Sequence, residues 1–132
     1  MQAFGEMRLS LADEKPNPDW RGGPKVRWAR DGEALLLRLN TVTSQTRIYK
    51  QTLDHFFRRE FRDWRPRHGE FCVEITVEVR PGLPAIDLDN VAKAVLDGVK
   101  GAIFFDDAQV GRLVVERIQG ECEQVTVLVR PR

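Results

Sequence analysis

Along residues 71–80 apolar and polar positions alternate, with Phe71, Val73, Ile75, Val77 and Val79 interleaved with Cys72, Glu74, Thr76, Glu78 and Arg80. A period of two sends the sets to opposite sides of an extended chain, which predicts a strand in a sheet covered on one side. Residues 34–39, 113–118 and 124–129 read as further strands. Asp31-Gly32 turns the chain before the first of these, and Gln119-Gly120 joins the last two as a hairpin. Residues 7–11 alternate well enough for an opening strand. Residues 12–23 hold Pro16, Pro18, Gly22 and Gly23 and read as a loop.

Elsewhere the period is helical. Over residues 47–64, Tyr49, Leu53, Phe56, Phe57 and Trp64 share one face, with Thr43 or Ser44 as a cap and Pro66 as a stop. Arg47, Gln51, His55, Arg58, Arg62 and Arg65 project opposite, a basic face that either meets phosphates or is solvated. A second, shorter helix is predicted over residues 90–100, closed by Gly101. Val91, Ala94, Val95, Gly98 and Val99 form its apolar face, and Asp89, Lys93, Asp97 and Lys100 a charged stripe. For Asp97 and Lys100 the amphipathic pattern is explanation enough. The whole predicts an α+β two-layer sandwich, a mixed sheet of four to five strands with two main helices, as one domain over residues 1–132.

Composition narrows the chemistry. Of 132 residues, 42% are apolar and 31% charged, and no run approaches the roughly twenty apolar residues that cross a bilayer. The first residues, Met1 to Glu6, lack a basic stretch followed by an apolar one, so the expectation is a cytoplasmic protein without a membrane partner. Cys72 and Cys122 lack the spacing of a zinc or redox motif and read as reduced structural cysteines, and His55 and His68 lack that of a metal pair. Any bound metal should have oxygen ligands, which favours magnesium or manganese.

The net charge of +1 conceals an asymmetry: residues 15–67 hold thirteen Lys or Arg against six Asp or Glu, and the remainder eight against fourteen. A polyanion held by the basic part and approached by a metal at the acidic part fits this division. Lys15, Trp20, Arg21, Lys25, Arg27, Trp28 and Arg30 interleave cations with indoles that could stack on bases, or whose tryptophans could dock on the domain.

The acidic part gathers Asp87, Asp89, Asp106 and Asp107 around Lys93. Crowded carboxylates repel one another and raise each other's pKa, so such a cluster points to a cation. Asp87 and Asp89 open the second helix, where one aspartate serves as a cap and the dipole favours acids; a cap does not account for the second. If residues 102–107 run back along that helix with Ile103, Phe104 and Phe105 buried, Asp106 and Asp107 reach the first pair. Converging carboxylates without histidine would hold one or two magnesium ions, with Lys93 at the scissile phosphate or its attacking water.

Asp87-x-Asp89-Asn90-x-x-Lys93-Ala94-x-x-Asp97-Gly98, followed by Asp106-Asp107-x-Gln109-Val110, resembles the core motif of RusA-type Holliday junction resolvases of bacteria and their phages. The motif covers about twenty-five residues; the strand at residues 71–79 and the terminal strands agree in order. The resemblance implies a homodimeric, magnesium-dependent endonuclease, in which manganese substitutes, that binds four-way DNA junctions and nicks opposing strands in recombination and repair. It implies Asp87, Asp89 and Asp107 as metal-binding catalytic residues, Lys93 as the catalytic lysine and Asp106 as a helper. The family's basic N-terminal region is matched in character by Lys25, Arg27, Arg30, Arg47, Arg58 and Arg62, the expected DNA contacts. The alternative is a relative that binds branched DNA without cutting it. A haloacid-dehalogenase-type phosphotransferase would want Gly and Thr after its second aspartate, and an EF-hand would want Gly and an acid where Ala92 and Gly98 stand.

Overall fold

The computed structural model describes residues 18–132; the opening strand expected at residues 7–11, and Lys15, lie outside them. Six strands, β1 (Arg21–Gly22), β2 (Val26–Asp31), β3 (Ala34–Leu39), β4 (Phe71–Val79), β5 (Val110–Gln119) and β6 (Gln124–Pro131), form one sheet in the order β1-β2-β3-β6-β4-β5. Neighbours are antiparallel except β4 and β5, which run parallel. With helices α1 (Thr46–Glu60) and α2 (Leu88–Val99), the class is α+β with a mixed sheet, as expected. The sheet exceeds the expected four to five strands because β1 forms at the end of the expected loop and β2 in the stretch after it, to which no element was assigned.

β2 is short and carries Arg27 and Arg30, so its own sequence signals a strand weakly. Pairing along its whole length with β3, whose Leu35, Leu36, Leu37 and Leu39 are all buried, imposes the extended form. The expected terminal hairpin is also corrected. β5 and β6 are not neighbours; β4 lies between them, parallel to one and antiparallel to the other. β4 buries Val73, Ile75 and Val77 completely or nearly so and takes an interior position, whereas β5 is mostly exposed or half-exposed and suits an edge. The β5–β6 connection crosses the end of β4: Gly120 N–H donates to Val79 O (2.9 Å), and a Cβ there would collide with the Glu78 carboxylate.

The predicted alternation places the apolar set of β4 in the core, but the opposite face is not open as expected, since Cys72 and Thr76 are buried there. Val73, Ile75 and Val77 of β4, with Leu35, Leu37, Leu39, Val125, Val127 and Val129 of β3 and β6, meet the helices in one core. Each fully buried aliphatic side chain there stabilises by about 1.5–3 kcal/mol. A smaller cluster of Ala29, Ala34, Leu36 and Leu128 lies on the other face, with Trp20 packed on it.

α1 buries the predicted Tyr49, Leu53, Phe56 and Phe57 but stops short of Trp64. Phe61 leaves the helix with φ −132°, and its ring joins Trp28 (4.8 Å), Trp64 (5.1 Å), Phe56 and Phe57 (both 5.7 Å). The Trp64 indole N–H donates to Ala102 O. Tertiary aromatic packing therefore sets that helix end, ahead of Pro66. Gln45 is the N-cap, without a side-chain cap, and Thr43 Oγ1 instead accepts the Gln45 N–H (3.1 Å).

α2 joins β4 to β5 and lays Gly98 against α1. A Cβ on Gly98 would stand 3.0 Å from Tyr49 Cβ and 3.1 Å from Leu53 Cδ1, so the close helix approach uses the missing side chain. Gly98→Val is expected to destabilise the fold by roughly 1–3 kcal/mol through overpacking, read as a lower midpoint in urea with unchanged slope. At the end of α2, Gly101 adopts φ +88°, the conformation anticipated for a C-terminal glycine.

Candidate active site

Asp87 is the N-cap residue of α2, yet its side chain makes no cap hydrogen bond. It lies instead against Asp89, and Asn90 Nδ2 donates to its Oδ2 at 2.8 Å. The Asp87 carboxyl is pushed above the ordinary aspartate range, first by sharing a hydrogen bond with the Asp89 side chain, then by desolvation and by the Asp89 charge. Both carboxylates are exposed, so no burial forces them together. The extended backbone of Asp87 (φ −85°, ψ 101°) followed by the first helical turn aims them the same way. Lys93 stands exposed one turn beyond Asp89.

Asp106 and Asp107 are elsewhere. Asp106 Oδ1 pairs with Lys100 Nζ (3.4 Å) just past the C-terminal end of α2. The backbone of Phe104 bridges to Lys100 and Arg67. Eleven residues separate Asp89 from Lys100, about 16 Å of helix rise. The expected return along α2 does not occur: Ile103 and Phe104 are buried, as anticipated, but in the core at the C-terminal end of the helix, where the Phe104 ring meets Phe71 (5.6 Å). Among the described residues no group of three His, Cys, Asp or Glu side chains is arranged to hold a metal within one chain.

Asp107 opens a short 3-10 turn, Asp107–Gln109, closed by a reciprocal cap. Asp106 Oδ2 accepts the Ala108 N–H (3.2 Å), and Gln109 Oε1 accepts those of Phe105 (2.8 Å) and Asp106 (3.1 Å). Gln109 Nε2 donates to Arg67 O (2.9 Å) and Gly69 O (2.8 Å). The Asp106 carboxyl is held below its ordinary range by the Ala108 N–H first and Lys100 next, which marks it as a cap and ion-pair partner. Asp97 is likewise engaged, accepting from Thr46 Oγ1 at 3.3 Å. Asn90 and Gln109 are the positioning residues that the sequence reading left without a role. Both sit inside the motif, but neither titrates, so a search for charged chemistry passes over them.

The basic residues divide. In β2, Arg30 faces the helices and stands over the Trp64 ring (6.0 Å), whereas Arg27 faces the opposite side beside the half-buried Arg38. Lys25 lines a groove of about 430 Å³ on one flank of α1 with Gln51, His55 and Arg59. Arg58, Arg62 and Arg65 line one of about 280 Å³ on the other flank, floored by Phe57 and Phe61. Arg47 is exposed at the start of α1. Both N-terminal indoles are docked: Trp20 lies under the Arg38 guanidinium (4.4 Å) and Trp28 packs in the core. Cys72 is buried and Cys122 exposed, and both are free thiols.

Chemically, the Asp87–Asp89 pair is an oxygen donor set whose mutual repulsion a hard cation relieves, the chemistry suited to magnesium or manganese. Among the described residues, no helix is long and apolar enough to cross a membrane. The family model described as Endodeoxyribonuclease RusA matches residues 22–130. No curated protein matches the chain.

Proposed function

Because the chain belongs to the RusA endodeoxyribonuclease family, we propose that it is a magnesium-dependent, structure-specific nuclease that resolves four-way DNA junctions by paired nicking in recombination and repair. The observation that carries this reading is the exposed Asp87–Asp89 pair, two acids held together at the head of α2 with no buried structural role. In this reading residues 1–132 form one endonuclease domain, working in the cytoplasm as a homodimer. Two equivalent sites match the two-fold character of paired cutting.

Asp87, Asp89 and Asp107 are the proposed ligands of the cation. Once bound, magnesium would lower the pKa of an attacking water and offset charge on the leaving oxygen, with manganese as a substitute. Asn90 holds the Asp87 carboxylate in orientation (2.8 Å). Lys93 contacts the scissile phosphate or orients the attacking water. Gln109 fixes the turn that presents Asp107, and Asp106 supports that turn. Since the pair and Asp107 mark opposite ends of α2 within a chain, the homodimer is the assembly in which one copy's Asp107 is supplied to the other copy's pair. A second reading, a branched-DNA-binding relative without nuclease activity, is favoured by the same separation if Asp107 never meets a pair.

A gel assay comparing a synthetic four-way junction, a fork and a duplex, with and without magnesium, tests the proposal. Nicking confined to the junction and to the metal-containing lanes is expected. Metal-independent cutting, or none on any substrate, would overturn it.

Lys25, Arg27, Arg30, Arg47, Arg58 and Arg62 are the proposed DNA contacts. Arg58 and Arg62 share a groove with aromatic walls and have no ion-pair partner among the described residues. Changing both to Ala is expected to weaken binding to junction and duplex alike. The slope of log affinity against log salt should flatten by about 0.9 per lost contact, or about 2 in all. Unchanged binding would move the DNA surface away from this groove.

A further inference from the structure

We propose that β5 is the dimer interface, pairing antiparallel with β5 of a second copy in a register centred on Val114. The inference rests on the homodimeric part of the reading above and not on its chemistry.

The sheet has two edges of different character. At one end lies β1, two exposed residues long and too short to recruit another strand. At the other lies β5, ten residues paired on one side only among the described strands. Sheet edges are usually blunted by lysine, proline or brevity. β5, Val-Gly-Arg-Leu-Val-Val-Glu-Arg-Ile-Gln, has no lysine or proline, its register shift is confined to Gly111 at its start, and it leaves Leu113 44% exposed, a large apolar side chain at an open edge.

The occupant follows from the strand's own order of residues. An antiparallel partner that keeps both helix layers on one side allows only registers in which opposed positions sum to an even number. Centring on Val114 sets Leu113 against Val115 of the other copy, both on the helix side of the sheet, beyond the register shift at Gly111. It also brings Arg112, which already pairs with Glu74 (3.2 Å), opposite Glu116. Cross-strand apolar pairs and opposite charges stabilise a sheet. Sliding the register by two residues destroys the match in either direction, since Val114 then faces Arg112 or Glu116. Self-complementarity of this kind is what an isologous two-fold contact needs. The register also carries the Asp107 end of one β5 toward the Gln119 end of the other, where Val79 closes β4 ahead of the loop to Asp87.

Only a residue on the two-fold axis faces its own copy. In a Cys122→Ser background, Val114→Cys is expected to form an intermolecular disulfide on mild oxidation, because opposed Cα atoms lie about 4.5–5.5 Å apart, within disulfide reach. Arg117→Cys, about 20 Å from its counterpart in this register, is expected to stay reduced. Independently, Leu113→Glu should convert the dimer to a monomer by light scattering with an unchanged far-ultraviolet spectrum. A wild-type chain that is dimeric but does not cross-link through position 114, and is not split by Leu113→Glu, overturns the β5 interface and leaves the nuclease reading standing. A wild-type monomer that still nicks junctions overturns both the interface and the homodimer. Loss of nicking with the cross-link intact overturns the chemistry alone.

Discussion

Asp89→Asn is expected to lower magnesium-dependent nicking of a four-way junction by at least about a hundredfold while junction affinity stays within a factor of about two. The amide preserves the shape of the carboxyl but removes one charge from the proposed cation site, and metal-supplied stabilisation of a phosphoryl transition state is worth several kcal/mol. Folding should not suffer. Asp89 is exposed, and its charge is among the causes that push the Asp87 carboxyl up, so neutralising it relieves repulsion in the metal-free protein. DNA binding, assigned to Arg58, Arg62 and the other cations, should persist and be measured without magnesium. Full activity in this variant would remove Asp89 from the site and with it the observation that carries the nuclease reading.

The second large effect appears only in mixed subunits. Asp89→Asn and Asp107→Asn homodimers should each be inactive. A heterodimer of the two keeps one intact site if Asp107 acts across the dimer: the Asp107→Asn chain supplies the pair and the Asp89→Asn chain supplies Asp107. Random exchange makes about half of all dimers mixed, each with one working site of two, so about a quarter of the wild-type nicking rate should return. The product should be singly nicked rather than resolved, because both cuts need two sites. If all three aspartates served within one chain, both sites of the mixed dimer would be broken and nothing would return. That result would sink the shared-site arrangement, and it would demand a rearrangement of about 16 Å of helix that the Lys100–Asp106 pair and the buried Phe104 oppose.

Particular residues show where the sequence was legible. Alternation along β4 and the 3.6-residue repeat of α2 assigned the core-facing side chains correctly, because burying apolar area is the largest local term and its period reads directly from residue order; that Cys72 and Thr76 on the other face of β4 are buried too was not legible. The Asp87–Asp89 pair was legible for a similar reason: the spacing of two and the helix start are local, and together they aim both carboxylates one way. β2 was not legible, since the pairing that makes it a strand comes from β3. Nor was the end of α1, set by Phe61 joining Trp28 and Trp64. The supposed β5–β6 hairpin failed because turn residues report that the chain reverses and not which strand it crosses on the way.

By itself, then, the order of amino acids determined both helices and strands β3 to β6, the core-facing side of each, and the acids and the lysine at the heart of the motif, all properties carried by neighbours in the chain. Tertiary structure alone decided the six-stranded order, the split of the cations between two grooves and two sheet faces, and the separation of Asp107 from Asp87 and Asp89. These depend on which distant side chains compete for the same buried volume. Ile103 and Phe104 were available to run back along α2, but they gain more by filling the core beside Phe71, and Asp106 and Asp107 follow them.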